Sequence, residues 1–234
     1  MKALWRWGLA GAVIIWLGNW LLVLPVPGKS ADRPLPLMAL TANTPVTIVF
    51  MGTSLTAGDP WPDLVIERLQ TCVKRPLHAL RIAQGGATSV WGLSRIEQVI
   101  AAAPDLVVLE FAINDADLRR GLSLGLSRDN HRAILARLKQ GLPEVRIILM
   151  TTNPAIGLRR LLRPRLAAYY ALYRNLAEEM DTGLIDLYPR WLAQPGLAPA
   201  LTDGVHPAHD GAASVIVPTL TAYLARLLGK TCTP

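Results

Sequence analysis

The sequence predicts a three-layer α/β/α domain on a parallel sheet of five strands, joined to a membrane-directed N-terminal helix. Three observations carry this expectation. From Val46 onward short β-branched runs alternate with longer amphipathic ones, the pattern of strands covered by helices on both faces. Glycine, serine, asparagine and aspartate gather where the β-branched runs end, and the first 26 residues hold one long apolar run. A chain of 234 residues has room for one substantial domain and an appendage, so a single site is sought.

The N-terminal segment, residues 1–26, opens with Lys2 and Arg6 and continues as an apolar run from Trp7 to Val26 broken only by Asn19. As a helix it reaches roughly 30 Å, the hydrocarbon thickness of a bilayer. A cleaved signal peptide shares the charged start and apolar middle, but Pro25 to Ala31 offers no small-residue cleavage pattern, which favours an uncleaved anchor. The expected address is the inner membrane, with the folded domain in the periplasm or outside. Secretion after cleavage is the alternative. Residues 27–45, rich in proline and small residues without sustained periodicity, read as a linker, and residues 46–234 as the folded domain.

Within that domain the strands fall at Val46 to Met51, Leu77 to Ala83, Leu106 to Phe111, Val145 to Thr151 and Gly183 to Leu187. Helices are expected at 61–72, 90–102, 128–140, 162–180 and 209–229. In open sheets of this kind ligands bind beyond the carboxyl ends of the strands. Those ends carry Gly52-Thr53-Ser54, Gln84-Gly85-Gly86, Ala112-Ile113-Asn114-Asp115 and Thr152-Asn153-Pro154, and the loop after the fifth strand holds Asp203-Gly204-Val205-His206.

Charge and cysteine content narrow the function. The net charge of +7 comes from scattered arginines and one denser stretch, Arg159, Arg160, Arg163 and Arg165. No zinc-ligand spacing, basic aromatic sheet or helix-turn-helix accompanies it, so nucleic acid is not an expected partner. Cys72 and Cys232 stand in no C-x-x-C pair and beside no histidine, which argues against metal binding and thiol redox chemistry.

A serine hydrolase needs a nucleophile, a base, a group that orients the base, and donors for a developing oxyanion. Ser54 lies at a glycine-bearing strand-to-helix turn that exposes its hydroxyl. His206 can act as base because an imidazole titrates near neutrality. Asp203, three residues earlier on the same loop, can hold the imidazole from the other side.

These residues resemble the SGNH/GDSL hydrolases, whose blocks contribute Ser, Gly, Asn and His in that order. The blocks are similar to Gly52-Thr53-Ser54-Leu55-Thr56, to Gly86 within Gln84-Gly85-Gly86-Ala87-Thr88, to Ile113-Asn114-Asp115, and to Asp203-Gly204-Val205-His206-Pro207. The resemblance runs from Val46 to Leu228 and implies an oxyanion hole made of the Ser54 N–H, the Gly86 N–H and the Asn114 amide. The sequence departs from the family at Thr53, where the family has aspartate, at Gln84-Gly85, and at Ala112-Ile113, where glycines are usual.

Other residues are weighed against blander roles. His209 reads as a helix-start or surface histidine, His78 and His131 as structural or exposed, Asp115 as a loop stabiliser and Glu110 as a partly buried structural carboxylate. Asn153, Arg159 and Arg160 lie at the fourth strand end and are possible substrate contacts. The plainer reading of the arginine stretch is a solvated patch. In a flavodoxin-like sheet ordered 2-1-3-4-5 the first and last helices cover one face, and Cys72 and Cys232 end those helices, which predicts a disulfide given an oxidising compartment.

The expected activity is hydrolysis of a carboxylic ester, with a short acyl group such as O-acetyl, through an acyl-Ser54 intermediate. No metal or cofactor is implied. The address points to an acylated envelope polysaccharide or lipid as substrate. An O-acyltransferase using the same residues and a non-catalytic glycan-binding domain are the alternatives.

Overall fold

The computed structural model describes residues 25, 27–39 and 44–232. The anchor or signal helix expected over residues 1–26 lies outside the described residues, apart from Pro25. Among the described residues no helix is long and apolar enough to cross a membrane.

Five strands, β1 (Val46–Gly52), β2 (Leu77–Ala83), β3 (Leu106–Leu109), β4 (Arg146–Thr151) and β5 (Gly183–Asp186), form one sheet in the order β2-β1-β3-β4-β5. All pairs are parallel. The three-layer fold and the strand order match the sequence-based expectation. Alternate residues point to opposite faces, so Val49, Met51, Val107 and Leu109 enter one core while Ile48, Phe50, Leu106 and Val108 enter the other. Burial on both faces explains why these strands read as continuous apolar runs rather than as alternation.

One face is covered by α1 (Trp61–Cys72) and α2 (His209–Leu227). Trp61 is 1% exposed and meets Phe50 edge-on, ring centroids 5.2 Å apart. Its indole N–H also donates to the Leu55 carbonyl at 2.7 Å, tying the helix to the turn that carries Ser54. Cys72, the last residue of α1, and Cys232 face each other beyond the two helix ends with Cα atoms 5.5 Å apart, a separation that a disulfide spans.

The opposite face carries α3 (Leu124–Gly141) and α4 (Leu166–Glu179). The helix expected at 162–180 begins later than predicted. A short helix, Gly157–Leu161, comes first, and Pro164 lies between the two. Proline constrains the residue before it away from helical geometry, which accounts for the break.

The proline-rich segment read as a linker is docked along the sheet edge. Arg33 and Leu184 exchange backbone hydrogen bonds at 3.0 Å, and the Ala31 N–H donates to the Asp186 carboxylate at 3.0 Å. Asp32 pairs with Arg190 at 2.7 Å, and the Met38 N–H reaches the Leu227 carbonyl at 2.9 Å. The segment thus covers part of the edge of β5, whose unpaired backbone groups would otherwise be open to another strand. Composition conceals this docking, because its hydrogen bonds and ion pairs are made with partners about 150 residues away in the chain and need no apolar period.

Candidate active site

The nucleophile turn is built from β1 outward. Gly52 ends the strand, Thr53 caps a four-residue helix, and Ser54 is the first residue of that helix. The Thr53 hydroxyl accepts from the Leu55 N–H at 3.2 Å, a cap that satisfies an otherwise orphaned donor. Its own proton goes to Glu110, whose carboxylate also accepts the Thr53 N–H at 2.6 Å and the Thr56 hydroxyl at 2.7 Å. Glu110 occupies the space that a Cβ on Gly52 would need, so the glycine is required by close approach.

Glu110 is 1% exposed rather than partly buried. Burial pushes its carboxyl up to about 7, against the pull of the hydrogen bonds from Thr53 and Thr56. It is the structural carboxylate that the sequence suggests, and its task is to hold the nucleophile turn. The signal was a single acid directly after the apolar strand Leu106–Leu109. The residues it serves, Thr53 and Thr56, were not legible as its partners.

Ser54 Oγ lies 2.8 Å from His206 Nε2, and His206 Nδ1 lies 3.0 Å from Asp203 Oδ2. The carboxylate accepts from Nδ1–H, which leaves the Nε2 lone pair facing the serine hydroxyl. Asp203 Oδ1 accepts the backbone N–H groups of Val205 at 3.0 Å and His206 at 2.8 Å. Partial burial raises the Asp203 carboxyl, but the backbone and ring donors of His206 outweigh it and hold the group below the usual carboxylate range.

The loop after β4 clasps this histidine loop. The Ile156 N–H donates to the Gly204 carbonyl at 2.9 Å, and Arg159 Nη2 reaches Asp203 Oδ2 at 3.1 Å. Asn153 is 1% exposed and gives amide protons to the carbonyls of Val205 at 2.6 Å and Pro154 at 3.0 Å. Both amide protons of Asn153 are consumed inside the protein. Arg159 faces Asp203 as an ion-pair partner. Arg160 lines a small cavity with Pro154 and Tyr188, separate from Ser54, and desolvation lowers its pKa. The arginine stretch is not a solvated patch throughout, since Arg163 is 5% exposed and binds the Ile113 carbonyl at 2.8 Å and Asp117 at 2.8 Å.

The expected oxyanion donors stand at three strand ends. Among the described residues the N–H groups of Ser54 and Gly86 have no acceptor. Gly86 has φ +73°, a conformation that favours glycine. Asn114, 6% exposed, spends one amide proton on the Ala87 carbonyl at 2.9 Å and keeps the other. Asp115 is fully buried and accepts from the Ser89 N–H and the Ser127 hydroxyl. His131, also buried, links the Ser127 carbonyl to the Tyr173 hydroxyl, which accepts the Phe111 N–H. These contacts brace the Asn114 loop from behind.

Ser54 and His206 line a cleft of about 480 Å³ with Leu55, Asp59 and His209. His209 starts α2 and is exposed, as its position suggests. A second cleft of about 310 Å³ is lined by Gly86, Trp91, Arg120 and Leu122. A larger cavity, about 540 Å³, lies between the docked segment and α2 and includes neither serine nor histidine. Chemistry belongs with the residues that can perform it, so the Ser54 cleft is the candidate active site.

Comparison with curated protein sequences finds no match. Among solved structures, a lipase/acylhydrolase from Enterococcus faecalis is 25% identical, covers 81% of this chain and 99% of its own, and superposes with a TM-score of 0.67. A putative acylhydrolase from Bacteroides fragilis is 24% identical, with coverage of 89% and 94% and a TM-score of 0.61. An acetyl xylan esterase from Geobacillus stearothermophilus is 21% identical, with coverage of 81% and 97% and a TM-score of 0.60. Residues 50–213 match the family described as GDSL-like lipase/acylhydrolase, well over half of the chain. With the serine, histidine and aspartate joined in the geometry above, the chain belongs to the GDSL-like lipase/acylhydrolase family and is a serine ester hydrolase.

Proposed function

We propose that Ser54, His206 and Asp203 hydrolyse a short-acyl carboxylic ester, such as an O-acetyl group on an envelope polysaccharide or lipid. The observation that carries this reading is the continuous hydrogen-bonded line from Ser54 Oγ to His206 Nε2 at 2.8 Å and from Nδ1 to Asp203 at 3.0 Å. Ser54 Oγ attacks the carbonyl carbon as its proton passes to Nε2. The carbonyl oxygen gains negative charge, and the N–H groups of Ser54 and Gly86 with the free Asn114 amide proton receive it. The C–O bond to the alcohol then breaks, and His206 returns the proton to the leaving oxygen. Water repeats the sequence on the acyl-serine, releasing the carboxylic acid and restoring the Ser54 hydroxyl.

The substrate class follows from address and not from pocket. The apolar run of residues 7–26 would fix the catalytic domain at the outer face of an inner membrane, where acylated glycans and lipids are the available esters. The fold serves as an acetyl xylan esterase in another protein. Turnover of p-nitrophenyl acetate, butyrate and longer esters by the wild type and by Ser54→Ala tests the reading. Acetate should be favoured over long chains and lost with the serine, whereas undiminished turnover by Ser54→Ala overturns the mechanism.

A further inference from the structure

We propose that the cleft beyond Gly86 is an anion subsite, in which Arg120 holds a carboxylate or phosphate that the substrate carries close to its ester. The inference rests on the ester-hydrolase reading above and names a property of the substrate that the reading leaves open.

The charge balance around Asp117 is the starting point. Arg119 takes both oxygens of Asp117, at 2.9 Å and 2.6 Å, and the buried Arg163 pairs with the same carboxylate at 2.8 Å. Arg120, next in the chain, is exposed, and its guanidinium has no hydrogen bond or ion pair among the described residues. It is not directed at random into solvent. One of its terminal nitrogens fills the space that a Cβ on Gly86 would take, so a cation lies directly against the glycine assigned above as an oxyanion donor.

The surroundings reinforce the charge. The residues lining this cleft, about 310 Å³, include Gln84, Gly86, Trp91, Arg120 and Leu122 and no acid. Arg95 lies over the ring of Trp91, a wall residue of the cleft, at 5.2 Å. The Arg120 guanidinium, in a cleft lined by no acid and beside apolar walls, forms a local positive field that attracts an anion. The other cleft differs, because Asp59 lines it together with Ser54 and His206. A guanidinium fork matches carboxylate and phosphate geometry alike.

The test compares two matched pairs of esters by kcat/KM. In one pair the charge is on the acyl half, p-nitrophenyl hemisuccinate against its neutral methyl ester. In the other it is on the alcohol half, 4-acetoxybenzoate against 4-acetoxybenzamide. The wild type should prefer the anionic member of at least one pair by about tenfold or more, and 0.5 M salt should shrink the preference. Arg120→Gln should bring that ratio close to one, and Arg120→Lys should restore part of it. The pair that responds names the half of the substrate that reaches the subsite. Equal turnover within both pairs, or a preference that survives in Arg120→Gln, overturns the subsite while the neutral esters still report hydrolysis. Failure of the wild type to cleave any of the four esters overturns the reading beneath it as well.

Discussion

Glu110 lies beneath the nucleophile turn with Oε1 2.6 Å from the Thr53 N–H, so a buried acid at the end of β3 sets the start of the helix that carries Ser54. Thr53 stands where the family has aspartate. Its hydroxyl both caps that helix and donates to Glu110, so the turn is held from two directions.

The raised value of Glu110 has a signed consequence for stability. Its folded value of about 7 exceeds the ordinary 4.5, so the folded state binds the extra proton between those limits and stability falls as pH rises from 4.5 to 7. The loss is on the order of 3 kcal/mol. His131, held neutral by burial, works in the opposite sense and costs stability as pH falls below its ordinary 6.5. Urea unfolding of wild type and Glu110→Gln across pH 4.5 to 8 separates the two, and the variant should lose only the descending component.

Asn114→Ala removes one donor from the oxyanion site proposed above, together with its bond to the Ala87 carbonyl. The expected result is a fall of about 10²- to 10³-fold in kcat, with the domain still folded by circular dichroism. A variant that keeps wild-type kcat would remove Asn114 from the mechanism.

Arg159 Nη2 and His206 Nδ1 share Asp203 Oδ2, at 3.1 Å and 3.0 Å. Both the arginine and the aspartate are about a third exposed, 36% and 37%, so the pair is a modest positioning device. Arg159→Gln should lower kcat about two- to fivefold with little change in KM. A rise in KM alone, with kcat intact, would point to substrate contact instead.

Cys72 and Cys232 are 160 residues apart in sequence and their Cα atoms lie 5.5 Å apart. The native, unreduced protein should show no free thiol by titration under denaturing conditions. Reduction, or Cys72→Ser with Cys232→Ser, should cost about 2–5 kcal/mol of stability. Two titratable thiols before reduction would count against the bond.

The strands and the pairing of Asp203 with His206 were legible in the chain because each rests on a local signal, whereas the strand order and the meeting of Ser54 with His206 were expected from the open-sheet pattern and the family resemblance. β-branched runs make strands, strand ends carry turn residues, and an aspartate three residues before a histidine needs one loop to reach it. What lay beyond sequence reasoning was the destination of long polar side chains. Arg159 and Arg163 are neighbours in one arginine stretch, yet one faces Asp203 and the other is buried against Ile113 and Asp117. Asn153 sits at a strand end as a substrate contact would, but packing turns it inward to the Val205 carbonyl. The docked segment at Arg33 and the cation laid against Gly86 depend likewise on segments far apart in the chain. Backbone periodicity is set by neighbours a few residues away, whereas the partner of a buried charge or amide is whichever group the completed fold brings within hydrogen-bond reach.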